Sequence, residues 1–118
     1  MTSKELNLKL LKAFPELEDI YKEEVEWQEG DDTGSHVVFG DVLTPYLLEK
    51  INTGNAAIMK KIFDFLEELL ISDDEYASEV ITCSILESII MDDINIDFVE
   101  SFLGEKSMET WQDLKDDM

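Results

Sequence analysis

The 118 residues carry 29 carboxylates against nine lysines and no arginine, for a formal charge of -20. Nucleic acid and anionic membrane surfaces are poor partners for such a chain, because both need lysine and arginine to neutralise phosphate. A cationic partner remains, and the first expectation is a basic protein whose own nucleic-acid site is lysine- and arginine-rich, since opposite charge accelerates encounter.

The length suits a single domain over residues 1–118, large enough to bury a core without disulfide or metal staples. Cys83 has no cysteine to pair with, and its setting in Val80-Ile81-Thr82-Cys83-Ser84-Ile85-Leu86 predicts a small buried hydrophobe in a reducing, intracellular compartment. Met1-Thr2-Ser3-Lys4-Glu5 lacks an apolar leader core, and no apolar run reaches bilayer length, so a soluble cytoplasmic protein is expected.

Thr2 followed by Glu5 matches a capping box, opening a helix with Leu6, Leu10, Leu11 and Phe14 on one stripe. Pro15 interrupts it and starts a second helix, predicted to turn Leu17, Ile20, Tyr21 and Val25 inward. Gln28 to Ser35 reads as a loop, and His36-Val37-Val38-Phe39 is compatible with a short extended piece. Asp41 or Thr44 then caps a helix through Tyr46, Leu47, Leu48 and Ile51, ended by Asn52-Thr53-Gly54-Asn55.

From Ala56 to Leu70 the period is helical, with Ile58, Ile62, Phe65, Leu66 and Leu69 on one face and Lys60, Lys61, Asp64, Glu67 and Glu68 on the other. A cap at Ser72-Asp73-Asp74-Glu75 precedes Tyr76 to Met91, which is apolar almost all round and therefore predicted to be the buried centre. Glu87 is the exception, a charge midway along that helix that needs an exposed strip or a partner. A shorter helix from Ile94 or Asn95 through Leu103, a left-handed cap at Gly104, and a last helix capped by Ser107 and carrying Met108, Trp111 and Leu114 complete the chain. The expected fold is an all-α bundle of about six or seven helices around a buried central helix.

Catalytic constellations are not evident. One histidine and one cysteine, far apart, do not make a zinc site. Asp93-Ile94-Asn95-Ile96-Asp97 imitates the start of a calcium loop, but Phe98 stands where glycine must turn and Gly104 where the bidentate glutamate belongs. His36 has no nucleophile in a recognisable motif and is read as a structural or loop-anchoring residue. The scattered glycines form no phosphate cradle, so no catalytic residue, metal or cofactor is expected.

At His36-Val37-Val38-Phe39-Gly40-Asp41, Ile62-Phe63-Asp64-Phe65-Leu66-Glu67, Cys83-Ser84-Ile85-Leu86-Glu87 and Phe102-Leu103-Gly104-Glu105-Lys106-Ser107, the chain resembles a group of small bacterial proteins. Those proteins look like immunity proteins of polymorphic or contact-dependent toxin systems. The resemblance covers roughly residues 15–115 and rests on short packing and capping patterns. It implies a cognate-toxin inhibitor without a catalytic site, and positions Glu67 and Glu87 match its pattern.

Charge and resemblance converge on one expectation: the protein binds a basic toxin domain, a nuclease foremost, and occludes its active site or nucleic-acid groove. The expected contact carboxylates are the ridge Asp64, Glu67 and Glu68 and the cluster Asp73, Asp74, Glu75 and Glu79. Trp27 and Trp111 are candidate anchors, although packing across a helix seam is favoured for both. The rivals are acidity that serves only solubility, an acidic housekeeping module or regulatory adaptor, and an enzyme acting on a cationic small molecule, which would need converging carboxylates in a pocket.

Overall fold

The computed structural model describes residues 1–92 and 96–117. Among them are helices and turns and no strand. In α1, Ser3–Ala13, the capping box is realised, with the Glu5 N–H donating to Thr2 Oγ1 and the Thr2 N–H to Glu5 Oε1, both at 3.1 Å. A 3-10 turn at Pro15–Leu17, which buries Leu17, leads into α2, Glu18–Glu26, which buries Tyr21 and Val25. Ile20 is 49% exposed, contrary to the inward placement expected for it. It lies more than a quarter turn from the stripe that packs.

Residues 36–39 are not extended. α3, Ser35–Val38, runs through a π-helical segment, Phe39–Leu43, into α4, Thr44–Thr53. The β-branched pair Val37-Val38 suggested a strand, but burying Val38, Phe39, Val42 and Leu43 in one core overrides that local preference. Because the chain is already helical at Ser35, neither Asp41 nor Thr44 is a cap. The Thr44 hydroxyl instead contacts two carbonyls, Phe39 O at 3.2 Å and Ser84 O at 2.8 Å. Gly54, at φ 68°, closes α4 in the left-handed conformation that glycine adopts without strain.

Asn55 caps α5, Ala56–Ile71, the longest helix, through the Ile58 N–H at 3.2 Å. Asp73, with φ 59°, turns the chain, and Asp74 caps α6, Glu75–Val80, through the Ala77 N–H at 2.9 Å. A second π-helical segment, Ile81–Leu86, continues into α7, Glu87–Met91. The rod from Glu75 to Met91 packs against α3, α4, α5, α9 and the first π segment, which makes it the central helix. Its inward side is Ala77, Val80, Ile81, Ile85, Leu86 and Ile89. Thr82, Ser84, Glu87 and Ser88 are half-buried along its edges, and Cys83 lies on the exposed strip rather than in the core.

α8, Ile96–Glu100, and α9, Glu105–Asp117, close the bundle. The expected helix start at Ile94 or Asn95 and most of the calcium-like run fall on residues 93–95, outside the described residues. Trp111 is fully buried, and its indole N–H donates to Glu100 Oε1 at 2.9 Å. One hydrophobic cluster, reaching from Leu6 to Trp111, joins the helices. No helix among the described residues is long and apolar enough to cross a membrane.

Candidate functional site

The seven carboxylates expected to meet a partner do not form one continuous acidic face. Asp64 is exposed and paired with Lys60 at 2.8 Å, one turn earlier on α5. Glu68 is exposed beside Lys9 and Lys12, with which it lines an open groove floored by Phe65 and Leu69. Lys61 lies 4.9 Å from the centre of the Phe14 ring. This side of the molecule therefore carries its own countercharge.

Glu67 is taken up by the fold. Its carboxylate accepts the Lys106 N–H at 2.8 Å, the Ser107 N–H at 2.7 Å and the Ser107 hydroxyl at 2.6 Å. These N–H groups belong to the first turn of α9, so Glu67 caps that helix from another element, and Ser107 is a donor to the cap rather than the cap itself. Desolvation raises the Glu67 pKa, but the hydrogen bonds from Ser107 and Lys106 outweigh it and hold the group below its ordinary value. Gly104 has no positive φ, and the sequence expectation of a left-handed cap there is incorrect. Its function is spatial: a Cβ at this position would lie 2.5 Å from Glu67 Cδ.

In the second cluster, Asp74 is held by its own helix N-terminus and by the Met1 amino group at 2.7 Å. Asp73, Glu75 and Glu79 are exposed. Glu75 and Glu79 line a shallow groove with Tyr76, and Glu79 Oε1 lies 3.7 Å from His36 Nε2. The other ring nitrogen of His36, Nδ1, is 3.1 Å from Ser84 Oγ. Serine, histidine and glutamate thus stand in a row, with Ser84 inside the π-helical segment of the central helix. The contact ties α3 to the central helix, the anchoring function expected of His36.

The densest run of carboxylates lies elsewhere. Residues 16–41 contain ten carboxylates and a single lysine, Lys22, which is paired with Glu18 at 3.0 Å. Among these carboxylates Ile20, Trp27 and Val37 are exposed apolar side chains, Trp27 the most so at 75%. Ile20, Glu23, Glu24 and Trp27 follow a helical stripe on α2 and, with Asp41 from the π segment, line one shallow groove. The Glu24 pKa is raised by the hydrogen bond shared with the Asp41 carboxyl, then by desolvation and by the Asp41 charge. Glu24 and Asp41 thus share one groove beside an exposed indole, and Glu24 Oε2 accepts from the Gln28 amide at 3.2 Å.

A buried polar network fixes the ground under this face. The Asn7 amide donates to Asp31 O at 3.1 Å and Thr33 O at 2.7 Å, and the Ser35 hydroxyl donates to Asn7 Oδ1 at 2.8 Å. The Tyr21 hydroxyl donates to Asp31 Oδ1 at 2.7 Å, and Gln28 Nε2 donates to Glu24 O at 2.8 Å. The loop after α2 is therefore pinned at both ends, which holds the backbone of Trp27 in place.

The packing expected of both tryptophans holds for Trp111 and is incorrect for Trp27, which is 75% exposed on the same side of α2 as Ile20. The available signal was the seven-residue interval between Ile20 and Trp27, one helical face with only glutamates between its apolar ends. Among the described residues no group of histidine, cysteine, aspartate and glutamate is arranged to hold a metal ion.

An all-α single domain is the class that the fold defines. The chain belongs to the family described as a domain of unknown function (DUF7674), whose profile matches residues 7–117. No curated protein and no solved structure matches it.

Proposed function

We propose that this protein is a non-catalytic binding protein that captures a basic protein in the bacterial cytoplasm. In its specific form it is an immunity protein that neutralises a cognate toxin domain, a nuclease foremost, by covering the active site or the nucleic-acid groove. The observation that carries this reading is the stretch of ten carboxylates against one lysine over residues 16–41, borne on α2 and the helical turns beside it instead of on a solvated tail. A surface of this kind repels nucleic acid and attracts the lysine- and arginine-rich groove that binds it. The exposed Glu75 and Glu79 extend the attracting field around the molecule. An acidic regulatory adaptor would use the same surface without a toxin.

Co-expression separates the two. Each gene flanking this one is expressed alone and together with it, and growth and complex formation are followed. The immunity reading expects one basic flanking product that arrests growth alone, is tolerated when co-expressed, and co-purifies with this chain. If a basic flanking product binds without being toxic, the adaptor reading replaces it; if no basic protein binds, both are overturned.

A further inference from the structure

We infer that the Ile20 and Trp27 face of α2 is the docking site, and that its occupant is an arginine side chain of the basic partner, stacked on the Trp27 indole and forked between Glu24 and Asp41. This deepens the binding reading above and rests on it. An indole that is 75% exposed at the end of a pinned helix is a ready anchor, since large aromatic side chains concentrate binding energy when a partner covers them. The backbone on both sides is already held by the Gln28 and Asp31 contacts, so docking has only the side chain left to order.

The chemistry around the indole selects the occupant. Glu23, Glu24 and Asp41 line the same groove as Trp27, and no lysine is among its lining residues. A guanidinium satisfies both demands at once: its plane stacks on an aromatic face, and its fork of N–H donors matches two carboxylates. An ammonium supplies charge but neither plane nor fork. A second copy of this chain is a poor occupant, because each copy brings a formal charge of -20 and the same carboxylates to the contact. The α5 side is less suited, since Lys9, Lys12 and Lys60 already stand beside its carboxylates.

The test uses octa-arginine and octa-lysine peptides at low ionic strength, with binding measured by calorimetry and position read from the two indole N–H signals in NMR. Octa-arginine should bind several-fold more tightly than octa-lysine and shift the Trp27 signal while the buried Trp111 signal stays still. Trp27→Ala and the pair Glu24→Gln with Asp41→Asn should each weaken octa-arginine binding about tenfold. The charge-matched pair Glu75→Gln with Glu79→Gln should change it less than about twofold. Equal losses from the two pairs with an unmoved Trp27 signal would overturn the docking site while leaving the basic-partner reading intact. Lysine binding as well as arginine would overturn the guanidinium assignment. Failure of both peptides to bind would overturn this inference together with the reading beneath it.

Discussion

Glu67 on α5 receives the backbone N–H of Ser107 at 2.7 Å across forty positions of sequence, and this bond starts the last helix. A carboxylate on an exposed-looking helix face thereby becomes part of the scaffold, and the acidic ridge of α5 loses its middle member. Removing it leaves the first N–H groups of α9 without an acceptor. Glu67→Ala should cost about 1–2 kcal/mol, the range for losing a helix cap, while Glu68→Lys should stay within about 0.5 kcal/mol. Thermal or urea unfolding of the two variants checks this.

Gly104 and Glu67 should behave as one unit. A methyl group at Gly104 would meet the Glu67 carboxyl carbon at 2.5 Å, and the flexible end of the glutamate must move away, taking its hydrogen bonds with it. Gly104→Ala should therefore destabilise the wild type clearly and the Glu67→Ala variant much less. A double-mutant cycle measures that difference, which is large only when the two positions share an interaction.

The pH dependence follows from the direction of the shift. The Glu67 pKa is lowered in the folded protein, so its stabilisation is complete above the ordinary carboxylate value and is lost as pH falls through the lower, folded one. Glu100 is lowered in the same direction, by Lys115 and then by the Trp111 indole. Stability should fall as pH drops below about 4.3, and Glu67→Gln should flatten that fall relative to wild type. Glu24 runs the other way: its raised pKa means that the Glu24 and Asp41 contact opposes folding at neutral pH and is relieved on acidification. Asp41→Asn should accordingly leave stability at pH 7 unchanged or slightly higher, as followed by the same melts.

Leu86 is fully buried on the central helix, packed with Ile81, Ile85 and Ile89 in the shared core. Leu86→Asp places an unpaired carboxylate there and should lose more than about 3 kcal/mol, or leave the chain unfolded. Circular dichroism melts measure it, and a variant that melts with wild type would remove that helix from the centre.

Helical periodicity made most of the bundle legible, because a stripe such as Ile62, Leu66 and Leu69 is read from local spacing alone. Thr2 with Glu5, and Asp74 before Glu75, were legible for the same reason: a cap and its donors lie within one turn. Glu67 was not, since its donors are forty residues away and only the folded chain brings them together. Trp27 was not legible either: packing across a helix seam is what the sequence favours, yet the indole is 75% exposed, because a residue at a helix end has no second turn to fix its side. Cys83 was misplaced by its neighbours: Ile81 and Ile85 are buried, but Cys83 lies on the opposite side of the same helix. Local apolarity cannot distinguish these positions.

The measurement closest to the central claim is the association rate between this protein and any basic flanking-gene product that co-purifies with it, followed by stopped flow as ionic strength rises. Capture steered by the acidic surface predicts a rate that falls at least about tenfold from low salt to about 0.5 M, with dissociation changing much less. A rate indifferent to salt, or tight binding only to a neutral or acidic partner, would contradict it.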